Sequence, residues 1–378
     1  ELLGSIYERY LESTIRVTPQ RVKVEEKPEV RKAGGVYYTP KYIVDYIVKN
    51  TVGKIIGGKT PRQIEKIKIL DPACGSGSFL LGAYQYLIDY HLKYYREHPK
   101  ETQDNLFFDF YHRAMPEDFA LPLRLKANIL RNNIFGVDID PQAVEITMMS
   151  LYLKALEGER GMLPRKQHLL PPLGNNIKCG NSLIGYDIYD SLFPAVIPAR
   201  DVIPATSGIL LKDSEQVGMT EKEKWSDDTK SRINPFDWNS KGAGFGEIME
   251  KGGFDVVIGN PPYVRIQTLP KEQVDYFNRK YKSATGNYDI YALFVEKALH
   301  LLKESGIHGY IMPHKFFQAS YGEGLRKLIA ERRTLTEIVN FRDNQIFEGA
   351  STYTCLLFLQ KIKNNTFIFT KLSPVFID

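Results

Sequence analysis

The segment Asn260-Pro261-Pro262-Tyr263 places two carbonyl acceptors and an aromatic ring within four consecutive residues. Its two prolines restrict the backbone, so the side-chain oxygen of Asn260 and the main-chain oxygen of Pro261 can converge on one point. Two acceptors placed in this way could bind both hydrogens of an amino group and draw its lone pair out of conjugation. Tyr263 offers a flat face on which a heteroaromatic ring can stack. The alternative is a rigid Asn-Pro turn without a chemical role.

A second candidate is the glycine-containing turn from Asp71 to Gly77, with the sequence DPACGSG. Gly75 and Gly77 carry no Cβ atom, so a ligand can approach the backbone closely. A dinucleotide-binding turn would have a third glycine at position 80, where this chain has Leu80. The turn therefore favours an uncharged adenosine or an amino-acid tail over a phosphate. A tight strand-to-helix turn without a ligand is the alternative.

Polar residues also follow two further predicted strands. Asp138 ends the second strand, where a carboxylate commonly accepts hydrogen bonds from both ribose hydroxyls. Its neighbour Asp140 precedes Pro141 and is predicted to cap the next helix. Asn181 follows the third strand, where its amide could bond the edge of an adenine. Each residue alone would more often be a structural cap, but in open α/β sheets ligands bind at this edge, where the strands end.

Other candidate residues carry less weight. His314 follows Pro313 after a predicted strand, and we interpret it as a surface or core histidine rather than a ligand. The seven histidines show no HExxH spacing and the three cysteines form no CxxC, so we predict no metal site and no disulfide framework. The charge run from Glu221 to Lys224 is predicted to be a solvated loop.

The elements that position these residues alternate between strand and helix. Strands are predicted at 67–70, 134–138, 307–312, 335–341 and 353–361, with two more in the segments IKC and FDVVIG. Helices are predicted at 39–52, from Ser78 onward, and at 141–156, 291–304 and 321–332, with Thr39 as the N-cap of the first. This order predicts a mostly parallel sheet covered on both faces, with an antiparallel hairpin at one edge.

Length and composition limit the classes of protein. The chain has 378 residues, of which 43% are hydrophobic and 25% charged, so a sizeable core is expected. No apolar run reaches the roughly 18 residues that span a bilayer, and there is no secretory signal, so we expect a cytoplasmic protein. The net charge of +5 permits a nucleic-acid partner without requiring one. Because the sequence begins with Glu1 rather than Met, we expect an internal fragment of a longer protein.

Taken together, the motifs resemble those of the N6-adenine DNA methyltransferases. The segments DPACGSGSF, IFGVDIDP, GNSL and IGNPPYV occur in the family's order, and GGVYYTPKYIVDYIV before them matches the gamma arrangement. The resemblance covers the chain from about Gly34 to Lys361. The opening LGSIYERYLE and the form NPPYVR resemble the methyltransferase portion of type IIG restriction–modification proteins and their relatives. The implied fold is the Rossmann-like fold of methyltransferases that depend on S-adenosylmethionine.

The resemblance also implies a role for each motif residue. Thr39 would bind the methionine carboxylate of S-adenosylmethionine, and Asp138 would hold its ribose. The other implied cofactor contacts are Asp71, Ala73 and Gly75 at the methionine and sulfonium region, and Ile139, Asn181 and Ser182 at the adenine. Asn260 and Pro261, in the rigid turn with Pro262, would accept the two N6 hydrogens of an adenine flipped out of duplex DNA. Tyr263 would stack on this base, and Phe347 would pack against it.

The implied organisation has residues 1–33 as an N-terminal helix and linker and residues 34–378 as the catalytic domain. A polar insertion, a loop or lid, is predicted at about 186–250. The helix covers residues 1–15, and 16–34 are predicted to be strand and loop or partly ordered. We expect the target-recognition domain, and possibly a nuclease, to lie elsewhere on the full polypeptide, because Glu25-Glu26-Lys27 lacks a paired upstream Asp. The alternatives are methylation of RNA or of protein glutamine, and a non-catalytic modification subunit.

Overall fold

The computed structural model describes residues 13–18, 21–26, 39–99, 120–159, 170–192, 233–347 and 352–372. Near the N-terminus, strands β1 (Ser13–Thr18) and β2 (Arg21–Glu26) form an antiparallel pair. Residues 13 to 15 therefore lie in a strand and not in the predicted helix, because they pair with residues 24 to 26 across the hairpin. The preceding part of the predicted helix lies outside the described residues, as does the run from Glu221 to Lys224.

The main sheet of the described chain has eight strands in the order β10-β8-β9-β7-β6-β3-β4-β5. These strands are β3 Ile69–Asp71, β4 Ile134–Asp138, β5 Ile177–Cys179, β6 Phe254–Gly259, β7 Leu302–Pro313, β8 Leu335–Asn340, β9 Thr354–Gln360 and β10 Ile368–Lys371. The pairs from β5 through β7 are parallel, and β9 runs antiparallel to both β7 and β8. The predicted α/β fold with an antiparallel pair toward one edge is confirmed. Beyond that pair, β10 adds a parallel strand to β8.

Helices connect and cover these strands. Their bounds are α1 Lys41–Asn50, α2 Val52–Ile56, α3 Pro61–Ile64, α4 Ser78–Glu97, α5 Leu123–Asn133, α6 Pro141–Leu156, α7 Asp187–Leu192, α8 Gly246–Glu250, α9 Lys271–Lys280, α10 Tyr291–Leu301 and α11 Glu323–Arg332. Helix α1 buries Ile43, Val44, Ile47 and Val48, the apolar face that its spacing predicts. Helix α6 begins at Pro141, and Asp140 caps it by accepting a hydrogen bond from the main-chain N–H of Gln142 at 2.9 Å.

The predicted polar insertion is shorter than expected at its C-terminal end. Within residues 233–250, Phe236, Trp238 and Phe245 are buried and pack edge-on or tilted against one another and against Phe135 and Phe254. This segment is part of the core because its aromatic rings bury large apolar areas, although their spacing fits neither a helix nor a strand. Residues 193–232 of the predicted insertion lie outside the described residues.

The parallel strands place the carboxyl ends of β3, β4, β5 and β6 at one edge of the sheet, where the residues singled out by the sequence follow each strand. Within the described ranges, none of the helices is long and apolar enough to cross a membrane. The same residues contain no group of three or more His, Cys, Asp or Glu that could hold a metal ion.

Candidate active site

A cavity of about 390 Å³ opens at this edge of the sheet. Its lining includes almost every residue that the sequence singled out: Thr39, Asp71, Ala73, Gly75, Asp138, Ile139, Asn181, Ser182, Asn260, Pro261, Pro262 and Tyr263. A larger hollow of about 1050 Å³ lies between α1, α4 and α6 and shares only Ser76 and Ser78 with the first. The smaller cavity is therefore the candidate site, because it gathers the polar strand ends.

Two hydrogen bonds between side chains and the main chain of Gly75 fix the glycine turn. The N–H of Gly75 donates to Asp138 Oδ2 at 2.8 Å, and the hydroxyl of Thr147 donates to the carbonyl of Gly75 at 2.7 Å. Gly75 and Gly77 have φ angles of +51° and +87°, which residues with a side chain rarely adopt. A Cβ atom at Gly77 would lie 2.9 Å from Thr147, whereas at Gly75 it would meet no heavy atom within 4 Å. The space beside Gly75 is thus available to a ligand.

Two carboxyl groups lie on the floor of the cavity. Asp71 is 1% exposed, and its Oδ1 accepts from the N–H of Ala73 at 3.0 Å. Burial raises the pKa of Asp71 to about 8, and the charge of Asp138 adds to this rise. Burial also raises the pKa of Asp138, against the effect of hydrogen bonds from the N–H groups of Asp140 and Gly75. Two carboxylates desolvated together favour a cationic ligand, because a nearby positive charge would stabilise their ionised forms.

Gly259, at the end of β6, allows Asp71 to occupy its position. A Cβ atom on Gly259 would lie 2.6 Å from Asp71 Oδ1, too close for any real contact. Sequence reasoning missed this residue, although it stands directly before Asn260 in the motif. The glycine is favoured here both by the carboxyl of a neighbouring strand and by its own φ of +156°, which residues with a side chain rarely adopt.

Asn260 lines the cavity, and one atom of its side chain is an unpaired acceptor. Its Nδ2 donates to the hydroxyl oxygen of Thr39 at 3.2 Å. Its Oδ1 is buried and accepts no hydrogen bond from any described residue. An acceptor left buried and unsatisfied costs about 1–3 kcal/mol, so this atom is expected to receive a donor from a ligand.

Thr39 is not the N-cap that the sequence predicts. Helix α1 has Pro40 at the capping position and no side-chain cap. The Thr39 side chain is instead buried and directed at Asn260, 221 residues away in the sequence. The hydroxyl accepts the hydrogen bond from Asn260 Nδ2 instead of capping α1.

The ring of Tyr263 is fixed from behind. Its hydroxyl donates to the carbonyl of Ile311 at 3.3 Å, and Tyr291 packs edge-on against it with ring centroids 6.2 Å apart. The ring is 8% exposed and forms part of the cavity wall. These contacts hold the aromatic face in one orientation.

Residues after β5 are used mainly in local structure. The Oδ1 of Asn181 accepts from the N–H of Leu183 at 3.0 Å, and the Ser182 hydroxyl donates to the carbonyl of Pro72 at 2.5 Å. Ser182 thereby ties this turn to the glycine turn. Ile139, 48% exposed, lies across the cavity and leaves an apolar surface open to a ligand.

A wall that the sequence did not reveal comes from α9, α10 and the turns before them. It contributes Leu269, Phe277, Ile290 and Phe294, with the Gln273 amide among them. Gln273 is 9% exposed, so its side-chain amide is largely shielded from solvent. Its position with Tyr276 and Phe277 on the buried face of α9 was the available signal.

Two sequence candidates lie apart from the cavity. Phe347 is 3% exposed and does not line it, so its contact with a target base stays a prediction. His314 lies 3.0 Å from Asn340 Oδ1 through Nδ1 and stacks with Phe317 and Tyr353. These packing contacts agree with its interpretation as a structural histidine.

Comparison with known proteins identifies the family. Residues 132–347 match the model described as Eco57I restriction-modification methylase, and residues 2–173 match N-6 DNA Methylase. "Type II restriction enzyme and methyltransferase RM.Eco57I" of Escherichia coli is 33% identical over 98% of this chain, which covers 32% of that protein. "Type II methyltransferase M.BstVI" of Geobacillus stearothermophilus is 26% identical over 87% of the chain and 42% of its own length.

Solved structures agree on the fold. The type IIL restriction-modification enzyme MmeI in complex with DNA superposes with a TM-score of 0.56 at 15% identity, over 92% of this chain and 40% of that one. The DrdV–DNA complex gives 0.54 at 14% identity, over 98% and 30%. This chain thus spans about a third of RM.Eco57I and less than half of M.BstVI. With its motifs gathered at one cavity, the chain belongs to the Eco57I restriction-modification methylase family.

Proposed function

We propose that this chain transfers a methyl group from S-adenosylmethionine to N6 of an adenine flipped out of duplex DNA, within a restriction–modification system. The observation that carries the proposal is the buried, unpaired Oδ1 of Asn260 at the cavity wall. An acceptor in this position requires a donor, and an exocyclic amino group is a donor with two hydrogens.

The chemistry required of the protein is mainly orientation. The lone pair of adenine N6 is delocalised into the ring, which makes this nitrogen a poor nucleophile. Accepting its two hydrogens at Asn260 Oδ1 and at the carbonyl of Pro261 would localise the lone pair and aim it at the methyl donor. The proton would leave N6 after transfer, so no general base is needed for the attack.

The cavity residues fit S-adenosylmethionine, which would supply an electrophilic methyl group on a sulfonium. The buried carboxyl of Asp71 suits the cationic methionine end, and Asp138 at the end of β4 suits the ribose hydroxyls. Ala73 and Gly75 leave room at the glycine turn, while Ile139 offers an apolar surface for the adenine. A volume of about 390 Å³ lies within the range of small-molecule pockets.

The cofactor adenine would meet polar groups from the turn after β5 and from α9. Asn181, Ser182 and Gln273 all line the cavity. The hydroxyl of Ser182 already donates its hydrogen bond to the carbonyl of Pro72, so Ser182 would mainly stabilise the turn. The amide of Gln273 carries both a donor and an acceptor, as the edge of adenine does, and is proposed as a further cofactor contact.

The DNA contacts and further domains belong to the full polypeptide. Tyr263 would stack on the flipped base, supported by its fixed ring. We propose that residues 34–378 form the catalytic domain and that target recognition, and possibly cleavage, reside elsewhere on the polypeptide. The coverage of about a third of RM.Eco57I supports this division.

The test is methyl transfer by the full-length polypeptide from isotopically labelled S-adenosylmethionine to duplex DNA, with the product nucleoside identified by mass spectrometry. N6-methyladenine is expected. The Asn260→Ala variant should lose about 10²–10³-fold in rate while its cofactor Kd stays within a few-fold. The control Asn287→Ala changes an exposed asparagine outside the cavity and should leave both unchanged. Methylated cytosine, RNA or protein glutamine, or full activity of Asn260→Ala, would refute the assignment.

A further inference from the structure

The hydroxyl of Thr39 contacts the side chain of Asn260, and this contact can fix the orientation of the Asn260 amide. We propose that Thr39 is a positioning residue through which the cofactor's carboxylate selects the orientation of the Asn260 amide that can accept from adenine. This inference rests on the proposed function and adds a coupling between the cofactor and the acceptor.

The contact lies on a rigid base. Thr39 lies two residues before the start of α1, whose residues Ile43 and Ile47 are 2% and 0% exposed. The β-branched side chain of Thr39 has few rotamers, and it is 4% exposed. Since α1 carries no side-chain cap, the hydroxyl is not used at the helix terminus. Within the described ranges, the hydroxyl oxygen accepts the hydrogen bond from Asn260 Nδ2 at 3.2 Å.

A threonine hydroxyl can both donate and accept, so it tolerates either orientation of a neighbouring amide. If its proton is donated to a carboxylate, only its lone pairs remain for Asn260. Nδ2 must then face Thr39, as it does in the structure, and Oδ1 must point away from Thr39; there it is buried and has no partner among the described residues. In the opposite orientation Nδ2 would face the substrate amino group, and no hydrogen bond could form because both groups are donors. A bound carboxylate would thus favour the competent orientation.

The position of Thr39 suits this role. It lines the cavity that Asp71 and Ala73 also line, and it contacts Asn260 directly. The cationic end of the cofactor is proposed to lie by Asp71, and the amino and carboxylate groups of an amino acid share one carbon. A carboxylate near Thr39 is therefore compatible with an ammonium near Asp71. The hydroxyl would bridge the cofactor to the catalytic acceptor.

The experiment compares Thr39→Val, which keeps the shape but removes the hydroxyl, with Thr39→Ser, which keeps the hydroxyl. Single-turnover methyl transfer is measured at saturating cofactor with the full-length polypeptide. Thr39→Val is expected to be about 10- to 100-fold slower, and Thr39→Ser within a few-fold of wild type. In an Asn260→Ser background, Thr39→Val should add less than about threefold, because the amide to be oriented is gone. Thr366→Val, an exposed threonine outside the cavity, serves as the control.

Decarboxylated S-adenosylmethionine, which keeps the sulfonium methyl, separates the coupling from simple binding. At saturation, wild type should transfer the methyl group of the decarboxylated cofactor at least about 10-fold more slowly than that of the natural cofactor. In Thr39→Val the ratio of these two rates should be near one. By calorimetry, wild type should bind the natural cofactor more tightly than the decarboxylated one, and this preference should shrink in Thr39→Val.

The outcomes are distinct. A Thr39→Val enzyme with a weaker Kd but an unchanged saturated rate would limit Thr39 to cofactor binding and overturn the coupling. A wild-type rate ratio between the two cofactors that persists in Thr39→Val would overturn it as well. Wild type that binds cofactor but methylates no adenine would instead refute the proposed function.

Discussion

Raising the pH from 6 to 8 is expected to tighten the binding of S-adenosylmethionine, because the cationic end of the cofactor should favour the ionised form of Asp71. Burial raises the pKa of this carboxyl to about 8 in the unliganded protein. A sulfonium and an ammonium beside it would lower that pKa in the complex. Below pH 8, binding would therefore release a proton.

The magnitude follows from the fraction of Asp71 that is ionised. With a pKa of about 8, the carboxyl is ionised in about 1% of molecules at pH 6 and in about half at pH 8. If the complex holds it fully ionised, the Kd should fall about 50-fold between these pH values, or roughly 2.3 kcal/mol. Between pH 6 and 7 alone, the expected change is about 9-fold.

Calorimetric titration in buffers of different ionisation enthalpy measures both the Kd and the protons released. Close to one proton should be released at pH 6 to 7. The control is Asp71→Asn, in which the amide oxygen can still accept from the N–H of Ala73 but no charge can form. Its Kd should be weak and should lose this pH dependence. A wild-type Kd that stays within twofold from pH 6 to 8 would refute the reasoning.

The same shift makes a prediction for the stability of the unliganded protein. The folded-state pKa of Asp71 lies above its ordinary value, so the fold favours the protonated form. The contribution to the free energy of unfolding is therefore fully present below about pH 4 and is lost as the pH rises toward 8. Asp71→Asn should remove this decline, so at pH 8 its melting temperature should be at least that of wild type. A lower value would show that the substitution disturbs packing.

Three further substitutions test the cavity wall. Gly259→Ala places a Cβ 2.6 Å from Asp71, so it should weaken cofactor binding about 10-fold or lower the free energy of unfolding by about 1–3 kcal/mol. The control Gly174→Ala, whose Cβ would have no heavy atom within 4 Å, should change neither quantity in the same titration and melting experiments. Gln273→Leu should raise the Kd of S-adenosylhomocysteine about 10-fold while sparing the inosine analogue, and equal losses for both would exclude contact with the adenine edge. Tyr263→Phe should lose about 1 kcal/mol of stability with its bond to Ile311 yet methylate within a few-fold of wild type, and a large loss of rate would assign the hydroxyl a direct part.

The local sequence was sufficient to predict where these strands end. Strands β3, β4 and β6 are short apolar runs that stop at Asp71, Asp138 and Gly259, and the chain direction of a parallel sheet brings such ends to one edge. The capping role of Asp140 was likewise predictable, because its partner Gln142 is two residues away. These features depend on residues close in sequence and on the general rule for α/β sheets.

Only the tertiary structure decided which side chains form hydrogen bonds or pack together. Thr39 could cap α1 or contact Asn260, and its partner Asn260 is 221 residues away and follows β6. Gln273 lies on a face of α9 whose burial depends on what packs against it. Phe236 and its aromatic neighbours joined the core because rings from distant strands completed their environment. Hydrogen bonds and apolar burial between distant segments have no local period in the sequence, so they appear only once the chain is folded.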